Sequence, residues 1–134
     1  MPPRTIFLSR LLGLYCVLVG LAMLTNRYAT VETVTAMVHN ASLMFLTGVI
    51  AEAAGLAMVL SHNIWSGGVL PVVVTLAGWI ILIKGTLILF LSPATASGFF
   101  LGALQYEKFF PMYSVISLIF GAYLTYGGFK SSSR

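Results

Sequence analysis

Two charged side chains inside long apolar stretches are the residues of this sequence best placed to do chemistry. Glu52 lies in GVIAEAAGLAMVL (residues 48–60), and Lys84 lies in GWIILIKGTLILFL (residues 78–91). A carboxylate in such surroundings can exchange a proton, and an ammonium can bind an anion or a polar head group. The two together can also form an ion pair that only fixes how two helices pack.

The composition indicates that both charges lie in a membrane. The sequence has 134 residues, of which 59% are hydrophobic and only 7% are charged, whereas a soluble domain carries about 25% charged residues. The net charge of +4 does not indicate a nucleic-acid partner, because the basic residues flank apolar segments and so indicate membrane topology. The expected partner is the lipid bilayer.

Four apolar segments are long enough to cross a bilayer as helices. They span residues 6–25, 41–61, 69–91 and 112–129, and a spanning helix needs roughly 20 apolar residues. A transmembrane strand needs only about 9–11 residues, and four strands could not close a barrel. The sequence therefore predicts an all-α, integral membrane four-helix bundle, with residues 1–134 forming a single domain.

Glycine positions suggest that the two halves of the chain are related. An offset of 65 aligns Gly13 with Gly78 and Gly20 with Gly85, and an offset of 66 aligns Gly55 with Gly121. Each half then consists of a span, a long connector and a span. Two spans per half make the repeat parallel, with an axis along the membrane normal. The alternative is a chance similarity among apolar segments.

The connectors that follow the first and third spans contain apolar residues at roughly helical spacing. This spacing predicts a short interfacial helix in each connector, and an irregular loop is the alternative. The residues concerned are Val31, Val34, Val38, Phe99, Phe100, Ala103 and Leu104.

Basic residues predict the orientation of the chain. More of them lie on the side of the two termini than on the side of the long connectors, which favours both termini in the cytoplasm. The first group is Arg4, Arg10, Lys130 and Arg134, and the second is Arg27 and Lys108.

Depth estimates bring the two intramembrane charges within reach of each other. At 1.5 Å per residue Glu52 lies about 16 Å deep and Lys84 about 10 Å deep, and a lysine side chain can bridge the difference. An acidic residue at mid-membrane costs about 2.5–3.5 kcal/mol, so it should face protein or water. We predict a Glu52–Lys84 contact between the second and third spans. It serves either to fix helix register or to bind a substrate, a proton or a quinone-like head group; a third option is that the charges face a partner subunit.

Small residues predict close packing of the helices. Gly48 and Gly55 lie on the same stripe of the second span as Glu52, and glycine lets a partner helix approach. The predicted helix-packing residues are Gly13, Gly20, Gly48, Gly55, Gly78, Gly85 and Gly121.

Other chemical motifs are missing from the sequence. His39 and His62 are separated by about 34 Å of helix, so they cannot share a metal, and Cys16 is the only cysteine. There is no phosphate-binding loop, nucleophile elbow or HExxH motif. We therefore predict no catalytic residues, no metal and no cofactor.

The segment RLLGLYCVLVGLAML (residues 10–24) resembles the opening of the DoxX-like group of small four-span bacterial membrane proteins, which begin with an arginine and two glycines along the first helix. The resemblance implies a bacterial inner-membrane protein, and some relatives are associated with quinone-linked redox systems. The sequence departs from the group because no lysine follows the second glycine. No functional residue is transferred from that group.

These observations favour a non-enzymatic multi-pass membrane protein, an accessory or scaffolding subunit that self-associates or binds a membrane partner. One alternative is a small proton-sensitive transporter or permeation subunit that uses Glu52 and Lys84. Another, based on the resemblance, is a quinone-linked redox accessory protein. The sequence does not identify a small-molecule ligand.

Overall fold

The structure is a computed structural model that describes residues 2–103 and 105–131, and this part of the chain folds into four long and two short α-helices. A π-helical turn, Phe99–Ala103, follows the second short helix. The helices are α1 (Pro3–Thr25), α2 (Arg27–His39), α3 (Ala41–Ser61), α4 (Val69–Phe90), α5 (Pro93–Gly98) and α6 (Tyr106–Lys130).

The four long helices are the membrane spans. Each is long and apolar enough to cross a bilayer, which confirms the predicted all-α bundle and the multi-pass membrane class. Helix α6 begins at Tyr106, six residues before the predicted span. Pro111 does not break this helix because it lies in the second turn, where it removes only one early backbone hydrogen bond.

Local signals in the sequence explain where several helices begin. Asn40 caps α3 by accepting a hydrogen bond from the backbone N–H of Leu43 at 3.1 Å, and Ser92 caps α5 in the same way. Gly67 and Gly68 have φ angles of 88° and 122°, which glycine adopts without strain. They reverse the chain between α3 and α4.

Both long connectors contain short helices, as predicted. Val38 of α2 and Ala96 of α5 are buried against Met44 and Ile88. The connectors therefore cover one end of the bundle, which we name the connector end. The opposite end, which holds Pro3 and Lys130, is the terminal end. Two positions used in the sequence predictions, Leu104 and Arg134, lie outside the described residues.

The long helices pack as two antiparallel pairs, α1 with α6 and α3 with α4. Hydrogen bonds between helices reinforce the first pair. The Ser9 hydroxyl donates to the carbonyl of Leu124 at 2.6 Å, and the Ser117 hydroxyl donates to the carbonyl of Cys16 at 3.0 Å. The partners of each predicted hairpin therefore pack mainly on the other half of the chain.

The close glycine contact in one pair recurs in the other at the predicted offsets. A Cβ atom added at Gly121 would lie 2.8 Å from the backbone nitrogen of Val17, and one added at Gly55 would lie 2.5 Å from that of Leu82. Val17 and Leu82 are 65 residues apart, and Gly55 and Gly121 are 66 apart. The same contact therefore occurs twice.

A second glycine contact repeats in the same way. A Cβ atom at Gly20 would meet Leu118 at 2.8 Å, and one at Gly85 would meet the backbone of Glu52 at 2.5 Å. These positions also differ by 65 and 66 residues. Two equivalent contacts between equivalent helices support a pseudo-twofold axis along the membrane normal.

Apolar clusters join the two pairs at both ends. At the terminal end the buried cluster consists of Leu8, Met58, Leu70, Val74 and Leu124. At the connector end it consists of Val38, Met44, Ile88 and Ala96. The space between these clusters is not filled by side chains in the same way.

Candidate functional site

A cavity of about 790 Å³ lies between the two helix pairs, in the half of the bundle next to the connectors. All four long helices contribute to its wall, and the two connectors form its roof. The lining residues named below are Tyr15 and Val19 of α1, Val34 and Met37 of α2, Met44 and Thr47 of α3, Ile80, Lys84 and Leu87 of α4, Phe99 and Leu101 of the second connector, and Tyr113 of α6.

The cavity lies on the pseudo-twofold axis. Several wall residues are partners under the offsets of 65 and 66, so the two halves of the chain contribute matching positions. These pairs are Tyr15 with Ile80, Val19 with Lys84, and Thr47 with Tyr113. The residue types differ within each pair, so the site is symmetric in its backbone and asymmetric in its chemistry.

Lys84 is the only lining residue with a formal charge in the part of the wall that the structure describes. Tyr15 and Tyr113 add phenolic hydroxyl groups. The Thr47 hydroxyl is already engaged, because it donates to the carbonyl of Leu43 in its own helix at 2.8 Å. The cavity therefore combines one cation and a few hydroxyl groups with an otherwise apolar wall.

Lys84 does not face the packed seam between helices that its sequence neighbours suggested. Its side chain is exposed and lines the cavity. The reason is the position of Gly85, whose face of α4 is pressed against the backbone of Glu52. Adjacent helical residues point about 100° apart, so the contact at Gly85 turns Lys84 out of the seam.

Glu52 lies in the seam between α3 and α4, partly buried. Its Oε2 atom accepts a hydrogen bond from the Thr86 hydroxyl at 2.9 Å. The same hydroxyl lies 2.9 Å from the carbonyl of Leu82. The described contact of the carboxylate is thus with Thr86, and a Glu52–Lys84 ion pair stays a prediction. Glu52 is not among the described lining residues of the cavity.

All seven predicted packing glycines are buried at contacts between long helices. A Cβ atom at any of them would lie within about 3 Å of a neighbouring helix. Gly98, in contrast, has open space around it. The seven are Gly13, Gly20, Gly48, Gly55, Gly78, Gly85 and Gly121.

The sequence analysis did not single out Tyr15, Tyr113 or Thr86. A threonine in a membrane helix ordinarily bonds its own backbone, and tyrosines near the ends of spans fit an interfacial belt. A usable signal existed for Tyr15, because it lies one turn from Val19, the repeat partner of Lys84. Only the folded chain shows that the two half-sites share a cavity.

The two histidines lie at opposite ends of the bundle. His62 is buried, and its Nε2 atom lies 3.2 Å from the carbonyl of Pro71. His39 is exposed and lines a polar surface groove of about 670 Å³ together with Arg27, Glu32 and Glu107. Within residues 2–103 and 105–131, no group of three His, Cys, Asp or Glu residues is placed to hold a metal ion.

Comparison with known proteins gave no relative: no protein-family model, no curated protein and no solved structure matches this chain.

Proposed function

We propose that this protein binds an amphiphilic small molecule of the bilayer in its roofed cavity, and that it acts without catalysis of its own as an accessory subunit of a membrane complex. The carrying observation is the cavity wall, which is apolar except for Lys84 and a few hydroxyl groups. Small-molecule pockets have this mixed lining and volumes of about 300–1,000 Å³. The cavity, at about 790 Å³, lies within that range.

The position of the cavity supports the same proposal. Membrane proteins built from repeats commonly place their ligand sites at the interface between the repeats. Here the matched positions Val19 and Lys84 face a common space from the two halves. A lysine at this depth is costly unless it serves packing or a ligand, and Lys84 lies outside the main packing seam.

An accessory role fits a bundle whose outer surface is apolar. Large side chains such as Leu18 and Ile119 are about two thirds exposed, so lipid or a partner helix can cover them. Self-association, cytoplasmic termini and a bacterial inner membrane belong to this proposal and are supported by the basic residues and the DoxX-like resemblance. A quinone is one amphiphile that the cavity would accommodate, so a redox accessory role is one form of the proposal.

The transporter alternative has less support from the geometry. It assigns proton exchange to Glu52, whose carboxylate contacts Thr86 in the seam between α3 and α4. A pathway would have to connect this seam with the cavity that Lys84 lines. We therefore favour binding over permeation.

The proposal is tested by asking what remains bound to the purified protein. The protein is solubilised in a mild detergent, and native mass spectrometry measures the adducts that survive release from the micelle. Solvent extraction and lipid mass spectrometry then identify them. Two variants are compared with the wild type: Val19→Trp, which fills the cavity, and Leu18→Trp, which adds the same side chain to the lipid-facing surface.

We expect about one amphiphile per chain in the wild type and in Leu18→Trp, and a strongly reduced amount in Val19→Trp. Equal retention by both variants would show that bound molecules lie on the outer surface, and the proposal would then be wrong. The same conclusion follows if the wild type holds no adduct after incubation with a short-chain quinone and with a fatty acid.

A further inference from the structure

We infer that the ligand of the roofed cavity is a single-chain amphiphile with an anionic head group, a carboxylate or a phosphate monoester, held by Lys84. This inference rests on the proposed function and names the ligand class of the same site. The observations behind it are the charge of the wall, its distribution between the two halves, and the volume.

The charge of the wall selects an anionic head group. Lys84 contributes the only formal charge among the described lining residues, and the two acidic residues of the connector end, Glu32 and Glu107, line the separate surface groove. An ammonium group has three N–H donors, so it can hold a head group in addition to contacts within the protein. Charge-assisted hydrogen bonds are about twice as strong as neutral ones.

The asymmetry of the wall selects one head group and one orientation. The repeat partner of Lys84 is Val19, so the second half of the chain supplies a cation where the first half supplies an apolar side chain. A ligand with two equivalent charged ends would leave one of them against Val19. Tyr15 lies one helical turn from Val19 and offers a hydroxyl group on that side.

The remaining wall is suited to a hydrocarbon chain. Ile80 and Leu87 flank Lys84 on α4, and Met37 and Met44 lie below the roof. Methionine side chains are flexible and adapt to irregular apolar shapes. The wall therefore matches a chain of variable conformation better than a rigid planar ring.

The volume limits the ligand to one chain. A methylene group occupies about as much space as a water molecule, roughly 30 Å³, so a cavity of about 790 Å³ holds about 26 non-hydrogen atoms at most. A fatty acid or a short lysophospholipid fits within this limit. A phospholipid with two acyl chains does not, and most of it would project into the bilayer.

The test uses spin-labelled lipids and the full-length protein in phosphatidylcholine liposomes, at alkaline pH so that fatty acids are ionised. Electron paramagnetic resonance measures the fraction of each probe that the protein immobilises. The probes are doxyl-stearic acid, its methyl ester, a spin-labelled lysophosphatidic acid, and diacyl phosphatidylglycerol and phosphatidylcholine. The variants are Lys84→Met, Lys84→Arg and the control Lys108→Met, which removes an exposed lysine outside the cavity.

In the wild type we expect the stearic acid or lysophosphatidic acid probe to associate roughly ten- to hundredfold more strongly than the methyl ester, as one charged hydrogen-bonded contact predicts. The stronger of these two probes distinguishes a carboxylate from a phosphate head group. Lys84→Met should abolish the preference, whereas Lys84→Arg and Lys108→Met should retain it.

Three results would overturn the inference. The first is a wild type that binds the methyl ester as strongly as the acid, a comparison that needs no variant and does not depend on how Lys84→Met folds. The second is an unchanged preference in a folded Lys84→Met protein. The third is a preference for diacyl phosphatidylglycerol over both single-chain anions.

The test separates this inference from the proposed function. If the methyl ester or a quinone binds well and Val19→Trp prevents the binding, the cavity is a ligand site and only the anionic class is wrong. If no probe is immobilised beyond the level of phosphatidylcholine, both the inference and the proposed function fail.

Discussion

The tightest backbone contact between α3 and α4 gives the sharpest test of the fold, through the substitution Gly55→Ala. The added Cβ atom would lie 2.5 Å from both the Cα and the nitrogen of Leu82. Ordinary van der Waals contact begins at 3.4 Å, so the two helices must move apart by about 0.9 Å at this point. Backbone atoms cannot rotate away, as the end of a flexible side chain could.

The size of the effect follows from two opposing terms. Overpacking of a well-packed contact costs about 1–3 kcal/mol, and the loss of backbone atoms as neighbours that can yield places Gly55→Ala toward the upper part of that range. Replacing a helical glycine by alanine returns about 0.5–1 kcal/mol of conformational entropy. We expect the free energy of unfolding to fall by about 1–2 kcal/mol.

The assay is reversible unfolding in mixed micelles with increasing SDS, followed by circular dichroism. Gly98→Ala is the matched control, because nothing lies within 4 Å of a Cβ atom at that position, and its stability should stay the same or rise slightly. The repeat predicts a loss for Gly121→Ala comparable to that for Gly55→Ala. If Gly55→Ala were as stable as Gly98→Ala, the close approach of α3 and α4 would be refuted.

Two further predictions concern polar contacts between helices. Ser9→Ala removes a buried hydrogen bond to the carbonyl of Leu124 and should lower the unfolding free energy by about 0.6–1.7 kcal/mol; Thr25→Ala, whose hydroxyl bonds only its own exposed helix end, should change it by much less, and equal effects would contradict the interhelical bond. Glu52→Gln should change stability by less than about 1 kcal/mol, because its amide can donate to the Thr86 hydroxyl while that hydroxyl donates to its own helix. A larger loss on SDS unfolding, repaired by Lys84→Met, would instead establish the Glu52–Lys84 ion pair.

The sequence by itself determined the membrane class, the four spans and the repeat. Long apolar segments leave a helix as the only way to satisfy backbone hydrogen bonds in lipid, so the spans could be located within a few residues. The glycine offsets of 65 and 66 residues were visible before the structure, because close packing allows no side chain at positions such as Gly55 and Gly121. Glu52 and Lys84 were visible for the opposite reason, since charged residues are rare within spans.

Only the tertiary structure decided how these parts combine. Sequence order suggested that consecutive spans pack together, but α1 packs on α6 and α3 on α4, because the glycine faces of distant helices fit each other most closely. A rotation of about 100° between neighbouring helical residues then placed Gly85 in the seam and Lys84 in the cavity. Periodicity within one helix cannot predict which face meets a partner and which borders a space, because that depends on the helices that surround it.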